Sequence, residues 1–296
     1  MDIARIKGDL ARDGYTVVRG VLSKEEVAEY LGDMRAWQAT IANYDVVHRA
    51  VDPHGIHKFH YAGHTRSAWK IRLNMKLRRL FAALWGVEDA ENGLVVGFDG
   101  SCYIPPECRQ VDRIWVHSDQ SPKVEGVACY QSLVSLTSNK KRTFVVYPGT
   151  HLEHRAYFES KGALTSVAWQ RCDPADVVGR FASRKTVVEV EAGDVVVWDS
   201  RTFHQSQYGE PPHVAGGEVG EERAVQYVCY LPKAGAKNTG AMQAKRLAYY
   251  GERRTTSHWP YPIRVNALQP PHRLIDYGAM EVPELDDLDV EIRKLL

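Results

Sequence analysis

Two side chains able to hold a metal stand two residues apart at His117-Ser-Asp119. Successive side chains of an extended chain point to opposite faces, so residues two apart share a face. An imidazole nitrogen and a carboxylate oxygen placed in this way can reach one ion, and the donor pair suits Fe(II). A third ligand would complete one face of an octahedron and leave the opposite positions open for ligands and O2. The pair alone carries little weight, because roughly 0.7 His-x-Asp triplets are expected by chance at this composition. Its downstream company carries more. Glu191-Ala-Gly-Asp194 reads as a turn, 195–198 as an apolar strand, and His204 follows in polar surroundings. Arg223 then opens the run Ala-Val-Gln-Tyr-Val-Cys-Tyr-Leu231. A guanidinium at the mouth of a barrel offers a fork for a carboxylate that lysine reproduces poorly.

Such groups need a sheet to position them. Residues 94–98, 114–117, 127–136, 143–147, 186–190, 195–198 and 224–231 are β-rich, several alternate in polarity, and Gly, Pro, Asn and Asp separate them. That pattern predicts an antiparallel sandwich or barrel rather than βαβ units. A strand at 15–18 precedes a helix that Ser23 and Glu26 would start as a capping box. Val27, Tyr30, Leu31 and Met34 carry the helical spacing to about residue 39. A second helix is predicted over 75–84 and a short one over 240–250. Residues 152–184 read as an insertion with helical stretches, and 209–222 as a polar loop rich in Gly and Pro. One domain is expected over 1–296. It comprises a helical part (1–93), a β core (94–231) and an irregular, Pro-rich extension (232–296) packed over that core.

The order His117-x-Asp119, Pro148-Gly-Thr-His151, Gly193-Asp194, His204 and Arg223 resembles the phytanoyl-CoA dioxygenase family of Fe(II)/2-oxoglutarate-dependent oxygenases. The opening Asp13-Gly-Tyr-Thr-Val-Val-Arg-Gly-Val-Leu-Ser23 is similar to that family's N-terminal signature, and the resemblance covers about residues 10–232. It implies a double-stranded β-helix (jelly-roll, cupin-like) core flanked by helices. It also implies iron on His117, Asp119 and His204, and the distal carboxylate of 2-oxoglutarate on Arg223. With O2 as the third reactant, succinate and CO2 would be released as an unactivated C–H is hydroxylated. Relatives that halogenate lack the carboxylate that Asp119 supplies here. Trp69-Lys-Ile-Arg72, Leu84-Trp-Gly86, Phe98-Asp-Gly100, Gln120 and Thr256-Ser-His-Trp-Pro260 place the chain beside a subgroup of no assigned activity. Val225 stands where many members carry Ser or Thr for a second cosubstrate contact, and Gln131 is the expected substitute.

Trp69, Arg72, Asp99, Trp115 and His64 are candidate substrate contacts, each with a structural role as the alternative. His48, His54, His57, His60 and His64 crowd one stretch. Interrupting Pro and Gly and the lack of Cys or carboxylate at ligand spacing favour a loop over the pocket mouth above a zinc site. His151 is expected to be structural, and Lys140-Lys-Arg142 a solvated hairpin tip. The five cysteines lack C-x-x-C spacing, and Cys129 and Cys229 read as small core residues. A net charge of +1 gives no broad field for nucleic acid or an anionic membrane. No apolar run approaches the roughly 20 residues of a bilayer span, and the N-terminus lacks a signal-peptide core. A soluble cytoplasmic enzyme with a small-molecule substrate is expected, without a basic cluster suited to an acyl-CoA. Two rivals stand beside it: a cupin-type metal enzyme that does not use 2-oxoglutarate, and an inactive binding protein of the same fold.

Overall fold

The computed structural model describes residues 1–51, 54–58, 61–209, 220–265 and 280–296. Two antiparallel sheets form its centre. One contains, in spatial order, β1 (Tyr15–Val18), β10 (Val195–Asp199), β6 (Tyr130–Ser135), β12 (Arg223–Val228), β4 (Ser101–Ile104) and β2 (Ile56–His57). The other contains β8 (Gln170–Arg171), β5 (His117–Ser118), β11 (Phe203–Ser206), β7 (Asn139–Tyr147) and β9 (Thr186–Val190). A small pair joins β3 (Leu94–Val96) to β13 (Tyr230–Pro232).

Side-chain alternation shows how the sheets are layered. On β10, Val196 and Trp198 enter a cluster with Phe144 and Val146 of β7 and Val188 of β9, between the two sheets. Val195 and Val197 point the other way, into a larger cluster with Ile6, Leu10, Leu77, Leu80 and Phe81. Those residues come from α1 (Ile3–Asp13) and α5 (Met75–Trp85), which cover the outer face of the six-stranded sheet with α2 (Lys24–Ala39) and α4 (Arg66–Leu73). On β7, Val145 and Tyr147 face out toward Tyr157 and Phe158 of α6 (Thr150–Ser160) and Val177 of α7 (Pro174–Val178). Strands covered on both faces read as unbroken apolar runs, which is why 195–198 and 143–147 were conspicuous in the sequence.

Ser23 and Glu26 form the expected capping box at the start of α2. Helices α5 and α8 (Gly240–Gly251) lie where they were predicted. Helices α1 and α4 were not anticipated, nor were β4 and β11, whose short sequences Ser-Cys-Tyr-Ile and Phe-His-Gln-Ser lack an apolar run. The strand expected over 114–117 shrinks to His117–Ser118, because residues 105–116 are irregular. The chain ends in the short α9 (Asp289–Arg293). Residues 210–219 of the expected polar loop and 266–279 of the C-terminal extension lie outside the described residues. Cys129 and Cys229 are both buried, with their sulfurs 2.8 Å apart.

Candidate metal centre

His204 on β11 lies directly opposite His117 on β5 in the antiparallel register. Asp119 leaves β5 on the same face as His117, and its amide donates to the Ser200 carbonyl at 2.9 Å. Each histidine Nδ1 lies against a main-chain carbonyl, His117 on Trp115 at 3.0 Å and His204 on Thr202 at 2.9 Å. Carbonyls only accept, so each Nδ1 carries the proton and each Nε2 presents a lone pair. Those Nε2 atoms lie 3.7 and 3.3 Å from Asp119 Oδ2, and the three donor atoms fall within 4.8 Å of one another. Among the described residues this is the only such group of three metal donors.

The protonation states suit a metal. Burial, reinforced by neighbouring His204, drops the His117 imidazole to about 3, so it stays neutral. Burial acts to raise the Asp119 carboxyl, and any positive charge taken up at His117 or His204 acts the other way and outweighs it, so the carboxyl lies below the usual carboxylate range. Gln131 Nε2 donates to Asp119 Oδ2 at 3.0 Å, which fixes the carboxylate, while its buried Oε1 has no partner. Two imidazoles and one carboxylate converge with their metal-binding atoms bare, which fits a divalent ion with open positions. In front of them lies a cavity of about 680 Å³ that reaches between the two sheets.

The motifs that accompany these ligands meet behind β11. The Gly14 carbonyl accepts from the Asp199 amide and from Thr202 Oγ1, both at 2.9 Å. The Gly149 amide donates to the Asp13 carbonyl, and the Phe203 amide donates to Thr150 Oγ1, again at 2.9 Å. His151 Nε2 lies 3.1 Å from the Ala11 carbonyl, tying α6 to α1. Gly14 has a φ of +79°, and a Cβ there would meet Thr202 Oγ1 at 2.4 Å and His151 Nδ1 at 2.5 Å. The Asp13-Gly14 and Pro148–His151 signatures thus brace the strand that delivers His204.

Arg223 is buried on the interior face of β12, the face it shares with Tyr227. Its Nη1 contacts Cys102 Sγ at 3.1 Å, Tyr227 is within hydrogen-bonding reach, and Nη2 has no partner. Among the described residues no carboxylate pairs with this guanidinium. A buried cation without a counter-charge is costly, so the arrangement fits an incoming carboxylate. Tyr227 lines the cavity and also bonds Ser206, a role that no motif signalled.

Of the substrate candidates, Asp99 and Trp115 line the cavity. Burial pushes the Asp99 carboxyl up to about 7. Trp115 stacks on His117 at 4.8 Å and donates from Nε1 to the Ser206 carbonyl. Trp69, Arg72 and His64 lie elsewhere, in the aromatic cluster with Phe98 and Tyr250 rather than at the mouth. Trp69 Nε1 donates to His64 Nδ1, and His64 Nε2 donates to the Arg254 carbonyl. Arg72 reaches the Asp99 carbonyl at 2.6 Å and so holds that segment from behind. Gln120 bonds Ser200 and the 124–128 loop, steadying the chain after Asp119. His48 and His57 stack on each other at 4.3 Å beside Tyr44, in no group of metal donors. His60 lies outside the described residues. His258, quoted only as part of a motif, lines the cavity within electrostatic reach of Asp119 and His204.

No family model matches the chain. The Ava biosynthesis cluster protein O of Aspergillus versicolor is 24% identical over 265 residues, covering 82% of each chain. A solved structure, the non-heme alpha ketoglutarate dependent carbocyclase SnoK from nogalamycin biosynthesis, gives a TM-score of 0.51 at 19% identity. That match covers 76% of this chain and 83% of the other. HygX from Streptomyces hygroscopicus, solved with nickel and 2-oxoglutarate bound, gives 0.50 at 14% identity over 78% of this chain and 87% of the other. At these identities the likeness is one of fold, and the chain shares the fold of these metal- and 2-oxoglutarate-binding proteins.

Proposed function

We propose that this chain is an Fe(II)/2-oxoglutarate-dependent oxygenase acting as one unit over residues 1–296, and that it hydroxylates a C–H bond of a small molecule. The observation that carries the reading is a bare His-Asp-His triad at one sheet together with a buried, uncompensated Arg223 on the inner face of the other. When bound, iron and 2-oxoglutarate would supply the oxidising chemistry, by which the substrate C–H, O2 and 2-oxoglutarate give the hydroxylated substrate, succinate and CO2. The protein's share is positional. His117, Asp119 and His204 hold the ion, Gln131 orients Asp119, and Arg223 with Tyr227 clamps the distal carboxylate. Either rival, a cupin-type enzyme without 2-oxoglutarate or an inactive binding protein, leaves Arg223 without a task. Motif order supports a place beside the phytanoyl-CoA dioxygenases. The relative's membership of a biosynthesis cluster supports a small-molecule substrate, and the +1 net charge agrees with a cytoplasmic site of action; among the described residues no helix is long and apolar enough to cross a membrane.

The test is anaerobic addition of Fe(II) and then 2-oxoglutarate, read by visible absorption. A charge-transfer band is expected in the wild type. It should vanish in His117→Ala and need about tenfold or more additional cosubstrate in Arg223→Lys, where a point charge replaces the fork. Absence of the band from the metal-loaded wild type would leave one of the two rivals standing.

A further inference from the structure

One wall of the cavity comes from beyond the resemblance that identified the triad. Thr256 donates from its amide to the Phe98 carbonyl at 2.8 Å, and its Oγ1 accepts from the Phe98 amide at 2.9 Å. The segment then turns back on itself, with Thr256 bridged to Val265 and the Ser257 amide bonded to the Arg264 carbonyl. Close approach to Gly97 completes the docking, since a Cβ there would meet the His258 carbonyl oxygen at 2.8 Å and its carbon at 3.1 Å. Tyr261 Oη ties the far side to the Pro232 carbonyl at 2.9 Å. Residues 256–265 are thereby strapped to the chain between β3 and β4, and they carry His258, Trp259 and Tyr261 into the cavity wall.

His258 stands out on this wall. Its Nε2 is buried and has no hydrogen-bond partner, although the side chain borders the same space as the three metal donors. Around it the lining is dominated by flat apolar surface, from Trp115, Trp169, Trp198, Trp259 and Phe144. Exposed Lys237 and Arg264 also border the cavity. A volume of about 680 Å³ accommodates a ring system of two or more rings. We propose that the cavity takes a flat, largely apolar ring compound bearing an oxygen substituent, and that His258 Nε2 hydrogen-bonds that oxygen and so fixes which edge faces the metal. A hydroxyl suits this nitrogen in either tautomer, because it both donates and accepts. The inference rests on the proposed function for its metal-facing geometry, whereas ligand recognition by His258 is measurable without turnover.

The experiment is calorimetric titration of the full chain, with and without Ni(II) and 2-oxoglutarate, using 2-naphthol and naphthalene as probes. Wild type should bind 2-naphthol about tenfold more tightly than naphthalene, a difference typical of one satisfied buried polar group. His258→Phe should abolish that preference while keeping naphthalene affinity, and His258→Gln should retain part of it. The Fe(II)–2-oxoglutarate band recorded on each variant reports whether the fold and the triad survive. An unchanged preference in His258→Phe, or failure of both probes to bind wild type, would overturn the inference. A 2-naphthol preference in a wild type that shows no band would instead leave recognition by His258 intact and refute only the oxygenase reading.

Discussion

At Asp119 the oxygen Oδ2 faces both imidazoles and also accepts from Gln131 Nε2. Gln131 is expected to touch the cosubstrate; its amide nitrogen holds Asp119 Oδ2, and its unpartnered Oε1 leaves a polar atom at the cavity it lines. Groups that orient a metal ligand are typically worth 10–100-fold in metal affinity. Gln131→Leu should therefore weaken anaerobic Fe(II) binding by about that range. If Gln131 serves the cosubstrate instead, metal titration will be unaffected and only the 2-oxoglutarate titration will shift. Asp99 poses a separate question of charge. Its carboxyl is raised to about 7 by burial, so between pH 4 and 7 the folded state holds a proton that the unfolded chain has released. Stability then falls as pH rises through that window. Asp99→Asn should melt higher than wild type at pH 8, by about 1–2 kcal/mol, with the gap closing at pH 5. An equal gap at both values would show that the carboxyl is not desolvated.

At the scale of elements, the turn before β10 does more than reverse the chain. Asp194 accepts from the amides of Gly20 and Glu191 and from Arg19, joining the turn between β9 and β10, where the chain passes from one sheet to the other, to the connection between β1 and α2. Gly193 has a φ of +96°, and a Cβ there would lie 2.7 Å from the Leu22 carbonyl oxygen. Gly193→Ala should cost about 1–3 kcal/mol in chemical denaturation, through both the backbone conformation and the clash. Because β10 pairs with β6, which carries Gln131, metal affinity should fall along with stability. A variant as stable as wild type would show that the turn relaxes freely. The motif that signalled a turn in the sequence is thus also what holds the helical layer to the sheet.

Across the whole molecule, buried neutral histidines lie within both outer helical layers, one tying a helix to a strand and one tying two helical segments together. His154 on α6 bonds Ser118, between His117 and Asp119, and burial lowers its imidazole to about 4. His64, packed between α4 and α8, is lowered well below its ordinary value, chiefly by burial with Arg72 adding to it. Each stays neutral in the folded protein while the unfolded chain takes up a proton below about 6.5. The contribution of these imidazoles should therefore be full above pH 6.5 and decline as pH falls toward 4, opposite in sign to that of Asp99, with His154 alone contributing on the order of 2–3 kcal/mol. Equilibrium unfolding of the metal-free protein at pH 7, 5.5 and 4 checks this. Asp99→Asn removes the opposing carboxyl, and a flat profile in that variant would contradict neutral burial at these two sites.

Much of this arrangement is written locally. The capping box starts α2, Gly193-Asp194 forces its turn, and the unbroken apolar runs of β7 and β10 announce strands covered on both faces. The same local logic puts His117 and Asp119 on one face, because the strand period is two. What stayed illegible is what depends on pairing partners. β11 is polar and only four residues long, so the opposition of His204 to His117 arises from the sheet register and the bracing by Gly14 and Thr150. Arg72 and Trp69 looked equally apt for a ligand or a core, and only the packing of α4 against Phe98 and Tyr250 sent them away from the cavity. His258 lies far along the chain from every ligand, and the close approach at Gly97 brings it to the same wall. Sequence determined which groups can do chemistry and on which side of its own strand each sits. The tertiary structure decided which of them share a space, because that depends on contacts between segments that no local period encodes.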